Sequence, residues 1–359
     1  MDLDLYRKDG TLKKLSLSKL FKYLESSSVS VENFDKLLKI YVSQRSNTMD
    51  DLNSLLQFSI VHGNVKICEF LIRKGADLNT KTEYGGMTTF LYASRDCNNL
   101  DTLKILVKYG ADINMVSKYN TNAIQFASMK NPNPDILRYL IQLGFRTDVR
   151  DDGKSLLMLA ARTNSNPAIL KMLIEYGCNI FEYNRDWDCL FYALESGQNI
   201  EVVKFILDQA YSQRFFRFRS LDINHPDHRR RTALMYALEY CQDDSVAKLI
   251  MKKGADPRLA DQNGWTSLHF AMIYKSNEII GLILEKYDFK DSVESLYYLS
   301  VFEFACKKAQ DPTILPILFH HGLKPVHFEK CLSLAYESRY GSEEKVEYVN
   351  SLRNSGCSN

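Results

Sequence analysis

His225 and His228, in the run His225-Pro-Asp-His228, stand three residues apart, a spacing that serves a metal only if further ligands converge from elsewhere in the fold. The sequence points to no such ligands, so a turn with solvated imidazoles is expected. His320-His321-Gly322 reads as a helix C-terminus, where an imidazole meets the last carbonyls favourably. Asp152-Gly153-Lys154-Ser155 has the end of a phosphate-binding loop but lacks its first glycine. The eight cysteines, Cys68, Cys97, Cys178, Cys189, Cys241, Cys306, Cys331 and Cys357, include no C-x-x-C pair, so neither a zinc site nor a disulfide framework is indicated. Most lie in or beside apolar stretches, where a reduced Cys acts as a small hydrophobe. A Cys/His pair would have to be assembled by the fold, and no Cys sits in a known enzyme motif. No catalytic residue, metal site or cofactor is assigned.

One segment is chemically dense in another way. Arg214, Arg217, Arg219, Arg229, Arg230 and Arg231 fall with Phe215, Phe216 and Phe218 inside eighteen residues. Guanidinium pairs bidentately with carboxylate or phosphate, so these arginines suit an acidic or phosphorylated partner. The competing reading has the phenylalanines extend a helix while the arginine stems cover apolar surface with their heads in water. Interleaved Arg and aromatic residues also stack bases. A chain of net charge +2 nevertheless lacks the broad basic footprint of a nucleic-acid binder, and none is expected.

Composition bounds the class. Apolar residues make up 45% and charged residues 25%, as in soluble folded proteins, which argues against disorder and fibrous classes. No window approaches a membrane span and the N-terminus is charged, so no membrane association and no general secretory export are expected. A reducing compartment, cytoplasmic or nucleocytoplasmic, follows, with delivery into a host cell by a specialised route left open.

The elements that must position these residues are set by an internal repeat. Gly75-Ala-Asp-Leu-Asn79 returns as Gly110-Ala-Asp-Ile-Asn114, then more weakly at Gly144, Gly177, Gly254 and Gly322. A small residue after a pair of apolar or aromatic positions recurs independently at Ser59, Ala93, Ala127, Ala160, Ala193, Ala237, Ala271 and Ala305, and again at Ala335. The steps are 34, 34, 33, 33, 44, 34, 34 and 30 residues, so one step carries an insertion. Each unit reads as two short helices. Thr88 caps the first helix of the second unit, apolar residues from Leu100 to Tyr109 space the next, and Gly110 ends it in the left-handed region.

This period, with Asp261-Gln-Asn-Gly-Trp-Thr-Ser-Leu-His-Phe-Ala271 as its best unit, resembles the ankyrin repeat family. The resemblance implies an all-α solenoid of stacked helix-turn-helix units joined by short β-turns or hairpins. The family's His is kept only at His269 and its Pro nowhere, which predicts irregular repeats of lower stability. Residues 1–49 are read as a helical N-terminal cap or a degenerate repeat, 50–325 as about eight repeats with an insertion near 209–226, and 326–359 as capping helices with a disordered tail.

The family usually recognises proteins through its concave face, built from turn tips and inner helices. Transferred position by position, the tips are Met87, Thr121, Lys154, Trp187, Arg231, Trp265 and Leu299, and both tryptophans of the chain fall there. Trp and Arg are enriched in binding hot spots. Trp187, Arg231, Tyr240, Trp265 and Tyr274 form a candidate epitope beside the arginine segment, the alternative being that the tryptophans fold back as packing. Tyr92, Phe126, Tyr192, Tyr236, Phe270 and Phe304, just before the small marker, are expected in the core. The implied function is a monomeric, non-enzymatic scaffold for a protein partner. The alternative is a host-directed effector or ubiquitin-ligase adaptor in which the repeats supply targeting. Poxviral members end in a ligase-recruiting segment that has no clear counterpart after Gly322, and the end segments are too short for a catalytic domain.

Overall fold

The computed structural model describes residues 14–25, 30–45, 48–83, 85–197, 200–211, 221–286 and 300–355. It divides the chain into two compact units, 1–178 and 179–359. The first unit contains α1 (Leu17–Leu24), α2 (Val31–Ser43), α3 (Met49–Val61), α4 (Val65–Arg73), α5 (Thr89–Asp96), α6 (Leu100–Lys108), α7 (Ala123–Lys130), α8 (Pro134–Gln142), β1 (Arg150–Asp151), β2 (Lys154–Ser155), α9 (Leu156–Thr163) and α10 (Pro167–Glu175). The second contains α11 (Cys189–Ser196), α12 (Ile200–Tyr211), α13 (Ala233–Tyr240), α14 (Asp244–Lys252), α15 (Ser267–Tyr274), α16 (Asn277–Lys286), α17 (Val301–Lys308), α18 (Ile314–His320), α19 (Phe328–Tyr336) and α20 (Ser342–Asn354).

The helices come in antiparallel pairs, and within each unit like packs on like. In the first unit α3, α5, α7 and α9 stack in sequence, with α4, α6, α8 and α10 beside them. In the second, α11, α13, α15, α17 and α19 form the corresponding row. The small marker explains how closely these first helices approach. Ser59, Ala93, Ala127, Ala160, Ala237, Ala271, Ala305 and Ala335 are all fully buried, and Ala193 nearly so. A larger side chain at any of them would hold neighbouring helices apart. The second helices carry one apolar stripe: in α6 Leu103 and Leu106 are buried, while Lys104 and Lys108 face solvent.

Helix ends follow the sequence. Thr88, Asn122, Ser155 and Ser300 each accept a hydrogen bond from the backbone N–H three residues on, at α5, α7, α9 and α17. Gly110 ends α6 at φ 87°, and Ala111 N–H then reaches back to the Leu106 carbonyl at 2.9 Å. The phrase that follows has a second task. Asn79 accepts from the backbone N–H of Asp112 (2.8 Å), one repeat further on, and Asn224 does so for Asp256 (2.8 Å) in the second unit; in the first repeat Asn53 of α3 takes this part for Asp77 (2.7 Å), 24 residues on.

A further ladder, unpredicted from the sequence, ties the loops between paired helices. Asn131, fully buried, donates to the carbonyls of Ser94 (3.1 Å) and Cys97 (2.8 Å) in the preceding repeat. Asn164 donates to those of Ser128 and Asn131, both at 2.9 Å. Both stand four residues past the small marker. The same position holds Lys275 in the second unit, and its ammonium donates to the Cys241 carbonyl.

Two expectations are corrected. Tyr192, Tyr236, Phe270 and Phe304 are buried, but Tyr92 and Phe126 are only half-buried. In the second unit this register is covered by tip tryptophans; the tips of the first unit carry Met87, Thr121 and Lys154 instead. His225 is also not a solvated imidazole. It is half-buried, with its ring 4.8 Å from that of Tyr183, while His228 is exposed.

Candidate functional site

Three of the described tips are tight loops closed by a backbone bond from residue i to residue i+4. Ser117 N–H donates to the Thr121 carbonyl (3.0 Å), Asp227 N–H to that of Arg231 (2.9 Å), and Asp261 N–H to that of Trp265 (2.9 Å). Aspartate stabilises two of them from inside. Asp227 accepts from the N–H groups of Arg229 (2.9 Å) and Arg231 (2.8 Å), and Asp261 from those of Asn263 (2.8 Å) and Trp265 (2.9 Å). Adjacent tips are joined by Gln262 N–H donating to the Arg229 carbonyl at 2.9 Å. Asp152-Gly153-Lys154-Ser155 belongs to the β1–β2 hairpin, in which Ser155 caps α9.

On this frame the second unit brings four of the candidate residues to one surface. Trp187 packs on Phe191 (5.9 Å), Tyr192 (5.2 Å) and Tyr236 (5.2 Å), between ring centroids. Tyr236 in turn stacks on Tyr240 at 5.7 Å, leaving Tyr240 41% exposed. Tyr274, one repeat further at the same register, is 46% exposed. Arg231 lies along α13 between them. Its guanidinium donates to Glu239 at 2.6 Å, stands 3.8 Å from the buried Asp261 carboxylate, and covers the Phe270 ring at 4.9 Å.

These contacts change the roles expected of the candidates. Arg231 is a strut whose charge is spent inside the molecule. Trp187 and Trp265 are half-buried, and Trp265 packs on Phe270 (5.8 Å) and Phe304 (5.1 Å). Their indoles therefore act as packing while still lining the surface. Arg229 and Arg230 are exposed at the tip. Arg214, Arg217, Arg219 and the tip residue Leu299 lie outside the described residues.

The register before the aromatic position is the one that holds the family's His. It is buried at Leu91, Gln125, Met158, Phe191, Met235, His269 and Glu303. Where the residue is polar it closes a capping box: Gln125, His269 and Glu303 accept from the backbone N–H of Asn122 (2.9 Å), Thr266 (3.0 Å) and Ser300 (3.0 Å). His269 is held neutral, its pKa lowered to about 4 by burial. The signal was in the sequence, since a polar residue three positions after Asn, Thr or Ser is the capping-box pattern.

Tyr240 and Tyr274 both have their hydroxyl pKa raised, first by burial and next by the Glu239 carboxylate, with Arg231 opposing. Among the described residues no three His, Cys, Asp or Glu side chains converge as metal ligands, and no helix is long and apolar enough to cross a membrane. Burial pushes the thiols of Cys68, Cys189 and Cys306 up, and that of Cys241 to about 11, which keeps them protonated. For Cys306 the larger cause is its hydrogen bond with Cys331.

Residues 28–117, 90–184, 124–215 and 190–293 each match the family described as ankyrin repeats in three copies. An ankyrin repeat protein of Acanthamoeba polyphaga mimivirus is 22% identical over 293 residues, covering 78% of this chain and 36% of the viral protein. The transient receptor potential cation channel subfamily A member 1 of Homo sapiens is 29% identical over 169 residues, covering 46% of this chain and 14% of the channel. The chain thus spans well under two thirds of the length of either relative.

Proposed function

Because the chain belongs to the ankyrin repeat family, a family of protein–protein interaction modules, we propose that it is a non-enzymatic scaffold that holds a protein partner on the inner surface of its second unit. The observation that supports this reading is the aromatic surface of α11, α13 and α15. Trp187, Tyr240, Trp265 and Tyr274 line it, and Tyr240 and Tyr274 present large rings to solvent. Aromatic side chains gain contact area at low entropic cost, which suits a binding hot spot. At the tips, Arg229 and Arg230 are the described arginines of the dense segment that stay exposed, and they suit an acidic or phosphorylated stretch of the partner.

Affinity capture from cell lysate, with identification by mass spectrometry, tests the proposal. The full chain is compared with a Trp187→Ala/Trp265→Ala variant and an Arg229→Ala/Arg230→Ala variant, each checked for fold by circular dichroism. Specific partners lost with the tryptophan pair place the site on the inner surface. Loss only with the arginine pair moves it to the tips. Capture of no specific partner by the full chain would sink the scaffold reading.

A further inference from the structure

We propose that Cys306 and Cys331 form a reversible oxidation site, at which a peroxide joins the two thiols into a disulfide between α17 and α19. The inference stands apart from the scaffold reading and from the inner surface.

Three observations carry it. Cys306 follows the small marker Ala305 on α17, Cys331 lies in the first turn of α19, and these two helices pack directly on one another. Across that packing the two thiols meet, and their hydrogen bond is the largest influence on the Cys306 proton. Both are free and fully buried. By contrast, the sulfurs of Cys97, Cys178, Cys189 and Cys241 are turned to the backbone carbonyls of Asn99, Thr147, Ile180 and Leu194.

The third observation is a cation. Lys345 of α20 is buried, and its ammonium is anchored by the Ala309 carbonyl (2.6 Å) and Ser338 Oγ (2.7 Å). Its charge acts on Cys306 in the direction that favours the thiolate, with Glu303 opposing. The thiolate, not the thiol, is the attacking species.

At rest both thiols are shielded and protonated. Among the described elements α19 packs chiefly on α17 and α20, and α20 on α19 and α18, so this helix pair is held by a neighbouring repeat on one side only. A repeat held in that way opens more readily than one clamped between two neighbours. Opening relieves the burial that keeps the protons on and lets a small oxidant in. The Cys306 thiolate then attacks one oxygen of hydrogen peroxide, the O–O bond breaks, and the other oxygen leaves as water. Cys331 attacks the resulting sulfenic sulfur and displaces its hydroxyl as a second water. Two thiols and one peroxide give one disulfide and two waters, with two electrons passing from sulfur to oxygen. The bond joins residues 25 positions apart and holds α19 and α20 on α17.

The test treats the full chain with hydrogen peroxide, alkylates the remaining thiols and maps non-reduced peptides by mass spectrometry. A peptide pair linked through Cys306 and Cys331, released by dithiothreitol, is expected. Hydrogen exchange over 328–354 should slow by about tenfold or more in the oxidised chain, and neither effect should appear in Cys306→Ser or Cys331→Ser. Met49, 49% exposed, serves as the internal gauge of peroxide dose through its sulfoxide. Alkylation of both cysteines as free thiols at a dose that converts Met49 would overturn the site. So would a link to another cysteine, a dimer on non-reducing electrophoresis, or a link that leaves exchange over 328–354 unchanged.

Discussion

Replacing Asn131 by Ala should destabilise the first unit by about 3 kcal/mol. The side chain is fully buried between α5 and α7. Its Nδ2 donates to the carbonyls of Ser94 at 3.1 Å and Cys97 at 2.8 Å, and its Oδ1 accepts from Asn133 N–H at 2.9 Å. Three bonds at roughly 1 kcal/mol each give that figure, and stranding buried carbonyls without a donor pushes it higher. Asn131→Asp sharpens the test because a carboxylate of the same shape cannot donate. At neutral pH it should cost at least as much as Ala. Facing two carbonyls, its folded pKa rises above the unfolded value of about 3.9, so stability should recover as pH falls through the folded pKa. Urea unfolding followed by far-UV circular dichroism measures the loss, and hydrogen exchange should localise it to 89–108 and 123–142. An Ala variant within about 1 kcal/mol of wild type would refute the ladder as a stabilising device.

His269, with a folded pKa of about 4 against an ordinary value of 6.5, binds its proton less tightly folded than unfolded. Stability should therefore fall as pH drops from 6.5 to 4, and His269→Gln, which keeps the acceptor as Gln125 does, should remove that component from pH-dependent thermal melts. Lys345 is buried, its ammonium donating to the Ala309 carbonyl (2.6 Å) and Ser338 Oγ (2.7 Å), and its pKa is lowered to about 8 by desolvation. The unfolded state holds the extra proton between pH 8 and 10.5, so stability should rise over that window in wild type relative to Lys345→Met, as read from urea midpoints. At Gly197, φ is 66° and a Cβ would come within 2.3 Å of the Tyr240 carbonyl oxygen. Gly197→Ala should cost about 2 kcal/mol or more in the same denaturation assay, since the clash is with backbone.

Period, helix boundaries and caps were legible in the sequence because they are local and repeated. Thr88, Gly110 and Ser155 act on backbone groups a few residues away, and the small marker recurs because every repeat meets its neighbour through the same point. The capping boxes at Gln125, His269 and Glu303 are equally local. The candidate surface was legible only as a set of positions. Nothing in the spacing shows that Arg231 gives its charge to Glu239 and Asp261, 8 and 30 residues further on, or that Trp187 rests on Tyr236 of the next repeat. Asn131 looks like any loop asparagine until the carbonyls of Ser94 and Cys97 are brought beneath it. Sequence sets what each residue offers along its own segment; stacking decides which offers are met inside and which, as at Tyr240 and Tyr274, stay exposed at the surface. The physical reason is that burial and pairing depend on neighbours one repeat away, a distance of about 10 Å in space and some 34 residues in the chain.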